Sequence, residues 1–326
     1  MRKTLLLSTL LALTAQAQED DWSLNNDISV YGDYAFMKRA LAHGRTLVFD
    51  TSDGHLNSCG TCEHTKECNT KNLVSRMENN SGYKVGGNYS TKRWSVEGSY
   101  LWFPEWTNEC EAEDPGFLSF TNDETFLNDY SNADRASTHY RSFFETAEAN
   151  YWRNVTPRKV NYFSASWILG IRYFSLNEGL DIAFTKGGNK SNYDIDTKNF
   201  LMGVQGGGAL QWNPTKWLSW DLVAKVGTGY DWTSQKTFLG DLNNTVIVHD
   251  YETLDFAFPV FVDGSLTLSY QWFHNINLHA AYEFLYFNGV VLAADQVVKH
   301  ASGRHPVDAN GVAIIYGLTA GIGISF

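Results

Sequence analysis

The chain has 326 residues, a net charge of −11 and a mean hydropathy of −0.30. The acidic balance argues against nucleic acid as a partner, and the absence of any run of about eighteen apolar residues argues against a helical membrane span. Aromatic residues are 15% of the chain, and glycine (27) far outnumbers proline (6), a composition suited to many strands and tight turns.

Residues Met1 to Ala17 read as a secretory signal peptide. Arg2 and Lys3 give the positive start, Leu5 to Leu13 the short apolar core, and Ala15-Gln16-Ala17 the small-x-small cleavage pattern. The mature chain is expected to begin at Gln18 with a charge of −13, since Arg2 and Lys3 leave with the peptide. An exported chain without an apolar helix can cross a bilayer only as a closed β-barrel, which satisfies every backbone group internally.

Alternation and turn residues predict ten strands. The first covers about residues 27 to 37, with Ile28, Val30, Tyr34 and Phe36 on one face. The second and third, residues 83–89 and 94–102, form a hairpin about Thr91-Lys92-Arg93. The fourth, about Thr138 to Arg153, has a conflict: Ala147, Ala149 and Tyr151 suit a lipid face, but Glu145 shares it. A bulge, or a position above the membrane, is expected there. The fifth turns Phe163, Ala165, Trp167, Leu169, Ile171 and Tyr173 outward. The sixth carries Phe200, Met202 and Val204, then Gly206-Gly207-Gly208, read as a bend or a close backbone approach. The seventh follows the turn Asn213-Pro214-Thr215-Lys216 and runs from Leu218 to Tyr230. The eighth runs from Leu254 to Tyr270 and the ninth from Ile276 to Tyr286. The tenth, Val312 to Phe326, alternates throughout and ends on an aromatic residue. It resembles the terminal strand by which outer-membrane barrels are recognised by their assembly machinery.

The connections alternate long and short. The long ones are residues 38–80, 104–137, 175–192, 233–249 and 288–310. Outer-membrane barrels show this pattern, with long external loops, short periplasmic turns and an even strand count; a soluble sandwich gives no reason for it. The expected fold is therefore all-β: a closed antiparallel up-and-down transmembrane β-barrel of about 10 strands, formed by residues 18–326 as one domain. Thr46-Leu47-Val48-Phe49 is short but strand-like, so twelve strands is the alternative.

Gly170-Ile171-Arg172-Tyr173-Phe174 and Asn199-Phe200-Leu201-Met202-Gly203-Val204-Gln205-Gly206 resemble paired G-x-R-Y and N-x-x-x-G-x-Q-x-G strands of the Legionella-type major outer membrane protein family. The resemblance covers roughly Ser142 to Trp220. It implies a pore-forming outer-membrane barrel of gram-negative or chlamydia-like bacteria, and it supplies no catalytic residue.

Parity places Asp33, Lys84, Glu97, Arg172, Gln205, Asp221, Lys225, Asp263, His279 and Glu283 inside the barrel, where charges must pair or meet water. They are candidate pore-lining residues, and a packed ion network that plugs the barrel is the other reading. Cys59, Cys62, Cys68 and Cys110 fall in two long external segments and read as disulfides, with zinc binding through Cys59, Cys62, Cys68 and His64 as the alternative. Residues 104–137 hold Glu105, Glu109, Glu111, Glu113, Asp114, Asp123, Glu124, Asp129 and Asp134 against Arg135 alone. This is either a solvated loop or a negative mouth that attracts cations. His139 and His249-Asp250 lie near predicted rims without a convincing nucleophile or carboxylate pair, so no catalytic residue, cofactor or metal is assigned. The expected role is porin-like passage of small ions or solutes with mild cation preference; a structural coat protein or adhesin with a plugged barrel is the alternative. The expected partners are outer-membrane lipid and lipopolysaccharide, with a homo-oligomer left open.

Overall fold

The computed structural model describes residues 27–41, 48–50, 77, 79–91, 93–120, 130–155, 162–240, 247–297 and 307–326, with backbone alone at 41, 48–50 and 247–251. These residues form β1 (Asp27–Leu41), β2 (Val48–Asp50), β3 (Asn79–Ser90), β4 (Trp94–Phe120), β5 (Ala133–Asn154) and β6 (Phe163–Lys186). They continue as β7 (Asn189–Trp212), β8 (Leu218–Gly240), β9 (Ile247–Ala257), β10 (Val260–Phe273), β11 (Ile276–Val290) and β12 (Gly311–Ser325). Every pairing is antiparallel, and β1 pairs with both β3 and β12, so the sheet closes on itself.

Among the described residues the ring has ten staves. β9 and β10 are one stave interrupted at Phe258-Pro259: β8 pairs with β9 at Asp231↔Ala257 and resumes with β10 at Thr228↔Val260. Proline has no N–H to give to the ladder, and the Thr228 hydroxyl donates instead to the Pro259 carbonyl at 2.9 Å. β2 contains part of the strand-like Thr46–Phe49 stretch. It only extends the far end of β4, pairing Val48↔Phe120, so it adds no stave and the twelve-strand alternative does not apply.

The outer face carries an apolar belt. Leu169, Val204, Leu210, Leu222, Val226 and Leu266 are exposed there. Aromatic residues bound it at both ends. Near the short turns, Tyr89, Trp94, Tyr151 and Trp167 lie within 6.3 Å of one another in succession. At the other end Tyr173, Phe200 and Trp232 form a similar chain, with centroids at 5.1 and 5.8 Å. Lipid-facing barrels have this arrangement of girdles.

Three segments expected as loops are largely strand. β4 and β5 cover most of 104–137, β6 and β7 meet at the Gly187-Gly188 turn inside 175–192, and β8 and β9 enter 233–249. Beyond the belt the alternation inverts. Leu180, Ile182, Phe184, Tyr193 and Ile195 point inward and are buried, while Asp181, Asp194 and Asp196 face out. A pattern sought as apolar-out and polar-in fails where the outside is water. The Glu145 conflict has a local solution as well. β5 pairs with β6 without a shift, and Glu145 accepts hydrogen bonds from Tyr100 (2.6 Å) and Tyr173 (2.8 Å). The irregularity lies on β4 instead, between Phe103 and Trp106, where Pro104 cannot donate to the ladder.

The lumen is crossed by side chains. Phe174 on β6 stacks on Phe287 of β11 at 4.2 Å, although β7, β8 and the β9–β10 stave lie between those strands. Phe144 packs against both rings, and Phe261 packs against Phe287. After β11 the chain turns inward: Val291 through Ala294 are buried, with a 3-10 turn at Ala293–Gln296. Asn199 grips this segment, accepting from the Val291 N–H (2.7 Å) and donating to its carbonyl (2.8 Å). The expected external loop 288–310 therefore begins inside the barrel.

The Phe261 ring lies over Gly227, where a Cβ would fall inside the ring and against the Val204 carbonyl. Gly227→Val should destabilise the barrel by about 1–3 kcal/mol through overpacking. Gly264→Ala should be tolerated, since its Cβ would meet nothing closer than 3.9 Å. Urea unfolding of the refolded barrel in detergent micelles checks the contrast.

Candidate functional site

The inner face carries two linked layers of charge. In the first, Arg172 on β6 bonds both Glu148 on β5 and Asp263 on β10. Lys225 on β8 reaches the same carboxylates at 2.8 and 3.0 Å. Gln205 donates to Glu148 at 2.7 Å and to Asn150 at 2.6 Å. The two strands carrying the Arg172 and Gln205 motifs are paired, and both residues converge on Glu148. A charge buried here is tolerable only with its partner in place. Two cations facing two carboxylates give a neutral set.

The second layer lines a cavity of about 360 Å³ toward the short-turn end of the barrel. Lys84 pairs with Glu283 at 2.6 Å, and Glu283 also accepts from Thr319 at 3.1 Å. His279 lies 2.6 Å from Asp33, and Tyr31 donates to Glu97 at 3.0 Å. Asp221 lines the same space. All ten residues placed inside by parity thus stand on the inner face, seven lining the cavity and Arg172, Gln205 and Asp263 within the network above it.

Sequence reading missed three charged residues of the inner face. Glu148 is the hub, and it was inward by the parity of Ala147 and Ala149. Arg39 on β1 pairs with Glu178 on β6 across the lumen, both side chains fully buried. Glu178 also accepts from Ser142 at 3.3 Å and from the Ala293 amide at 3.1 Å, tying this pair to the inserted segment. Arg39 and Glu178 lay in stretches read as loop.

The acidic segment is a cross-strand ladder rather than a loop. Glu113 faces Arg135, and Glu109 faces His139 at 3.7 Å. Arg135 also pairs with Glu111, and Arg141 reaches toward Glu105 at 3.8 Å. Asp123, Glu124 and Asp129 lie outside the described residues. On the same outer face Asp181 opposes Asp194 directly. Burial, then the charges of Asp181 and Asp196, push the Asp194 carboxyl up to about 6. Cys110 is on β4 opposite Thr138, buried, and so not in a loop. Cys59, Cys62, Cys68 and His64 lie outside the described residues, as do the side chains of His249 and Asp250.

No family model and no curated protein matches the chain. Among solved structures it is similar to the outer membrane protease OmpT of Escherichia coli, with 9% identity, 95% of this chain and 99% of that chain covered, and a TM-score of 0.44. The translocator domain of the autotransporter NalP from Neisseria meningitidis gives 10% identity, coverage of 100% and 96%, and a TM-score of 0.41. The attachment invasion locus protein Ail of Yersinia pestis gives 10% identity, coverage of 93% and 100%, and a TM-score of 0.29. Likenesses of this size carry no weight for function, and the barrel class rests on the chain's own closed pairing.

Arg172→Ala would leave Glu148 and Asp263 sharing Lys225. The expected loss is about 3–5 kcal/mol, typical of a broken buried pair, read by urea unfolding. A loss within experimental error would mean that water reaches both carboxylates.

Asp194 makes stability depend on pH. Its folded value is raised above the ordinary 3.8 to about 6, so the folded barrel holds the proton more tightly than the unfolded chain. Its contribution is full below pH 3.8 and is lost as pH rises through about 6. Asp194→Asn should raise the unfolding midpoint at pH 8 and flatten the change between pH 4 and 6 relative to wild type.

Proposed function

We propose that this protein is a bacterial outer-membrane β-barrel whose lumen is occluded, serving at the cell surface as a structural coat protein or adhesin. The observation that carries the reading is the stacking of Phe174 on Phe287 across the lumen, with Arg39–Glu178 bridging the ring nearby. These residues sit on strands, so movement of the inserted segment alone does not clear the path. Strands of 22 to 27 residues in β4 through β8 support a surface role, because ~9–11 residues suffice to cross a membrane. The remainder forms a wall projecting from the belt, polar on its outer side. The resemblance of the Arg172 and Gln205 strands to the Legionella-type major outer membrane protein family is part of this proposal, while the barrel class itself rests on the closed pairing of β1 with β3 and β12.

A second reading, porin-like passage of small ions, is favoured by one observation. The cavity lined by Asp33, Glu97, Asp221 and Glu283 is charged and roomy, which a purely structural barrel does not require.

Planar-bilayer recording of the refolded protein separates the two. The occluded reading expects insertion without steady conductance, and no swelling of liposomes in small sugars. Regular single-channel steps in wild-type protein would overturn it in favour of the porin-like reading. A tag at Gly187-Gly188 should be labelled on intact cells and one at Thr215 should not; the reverse would invert the orientation.

A further inference from the structure

Asp231 on β8 is fully buried, and neither of its carboxylate oxygens has a hydrogen-bond partner. It faces inward at the level of the Phe174 layer, since Asp231 pairs with Leu201 and Leu201 with Phe174. The backbone amide of Phe200 acts on it, and no cation of the described residues does. The inner cations of the described residues are committed elsewhere: Arg172 and Lys225 to Glu148 and Asp263, Arg39 to Glu178, and Lys84 to Glu283.

The wall above Asp231 is equally short of partners. Thr233 Oγ1, Thr197 Oγ1 and Gln235 Oε1 are all buried without partners. Gln235 and Thr197 face each other across β7 and β8, and Thr233 stands two residues from Asp231 on the same face. The Gln235 amide is spent on Thr237 at 2.9 Å, which leaves its carbonyl oxygen alone. One carboxylate and several neutral oxygens thus lie along one inner stripe. An ionised carboxylate buried without a counter-charge is too costly to persist. A proton on Asp231 would relieve the carboxyl but leave the other three oxygens unmatched.

We propose that the β7–β8 wall binds a partly hydrated monovalent cation of the sodium or potassium class at Asp231. The ion balances the single negative charge, and its waters donate to Thr233 and the oxygens beyond. Hard cations take oxygen ligands, and a divalent ion usually takes more carboxylates than the single one present here. The site is independent of whether the barrel conducts.

The test uses the full chain refolded in detergent micelles, unfolded by heat in sodium, potassium or choline chloride at equal ionic strength. Wild type should melt about 2–4 °C higher in sodium or potassium than in choline. Asp231→Asn should melt alike in all three salts, and Thr233→Val should show a reduced difference. Wild type indifferent to the cation would overturn the proposal in favour of a protonated Asp231. An equal rise in wild type and Asp231→Asn would overturn the assignment to this residue. Should Asp231→Asn fail to fold, rubidium-soaked crystals of wild type decide: an anomalous peak at Asp231 supports the site, and none there overturns it.

Discussion

Closing the sheet after ten staves sets the bore, and the bore governs most of what the interior does. A barrel of about eight strands is filled by its own side chains, and a wide channel needs about sixteen. At ten, side chains from staves that are not neighbours can meet. Phe174 reaches Phe287, Arg39 reaches Glu178, and Lys84 reaches Glu283. None of these pairs is adjacent in the sheet. Each acts as a brace across the ring, so the interior resists changes of diameter that a backbone ladder alone would allow.

The belt was legible in the sequence because lipid imposes one rule on every strand it touches. Leu169, Ile171, Val204 and Leu210 face out for the same reason, and the ring of ten follows from counting such stretches. Two things were not legible. Above the belt the outside is water, so Ile182 and Phe184 turn inward and Asp181 and Asp194 outward, and a search for the lipid pattern reads strand as loop. The partners of inner charges also depend on stagger and closure, which no single strand encodes. Parity puts Arg172 and Asp263 inside, but only the closed ring brings them together. A local signal was present for the inserted segment: Val290-Val291-Leu292-Ala293-Ala294 is an apolar run in a stretch read as an external loop.

The charged layers are better understood as specification than as stabilisation. A buried pair repays little beyond its own desolvation, yet removing one partner is expensive. Register slips by one residue would send Lys225 and Asp263 to the lipid face and Val226 and Val262 into the network. The set Glu148, Arg172, Lys225 and Asp263 therefore holds four strands in one alignment.

The break at Phe258-Pro259 has a consequence for how such a ring breathes. Within the belt the closed sheet has no free edge from which to fray, so opening there must start where rungs are already missing. Between β8 and the β9–β10 stave the ladder is patched only by the Thr228 hydroxyl. Within the belt, solvent exchange at backbone amides should begin beside this gap, near Gly229 and Tyr230. The gap lies within a few residues of Asp231, so the weakest rung of the belt adjoins its most isolated inner charge.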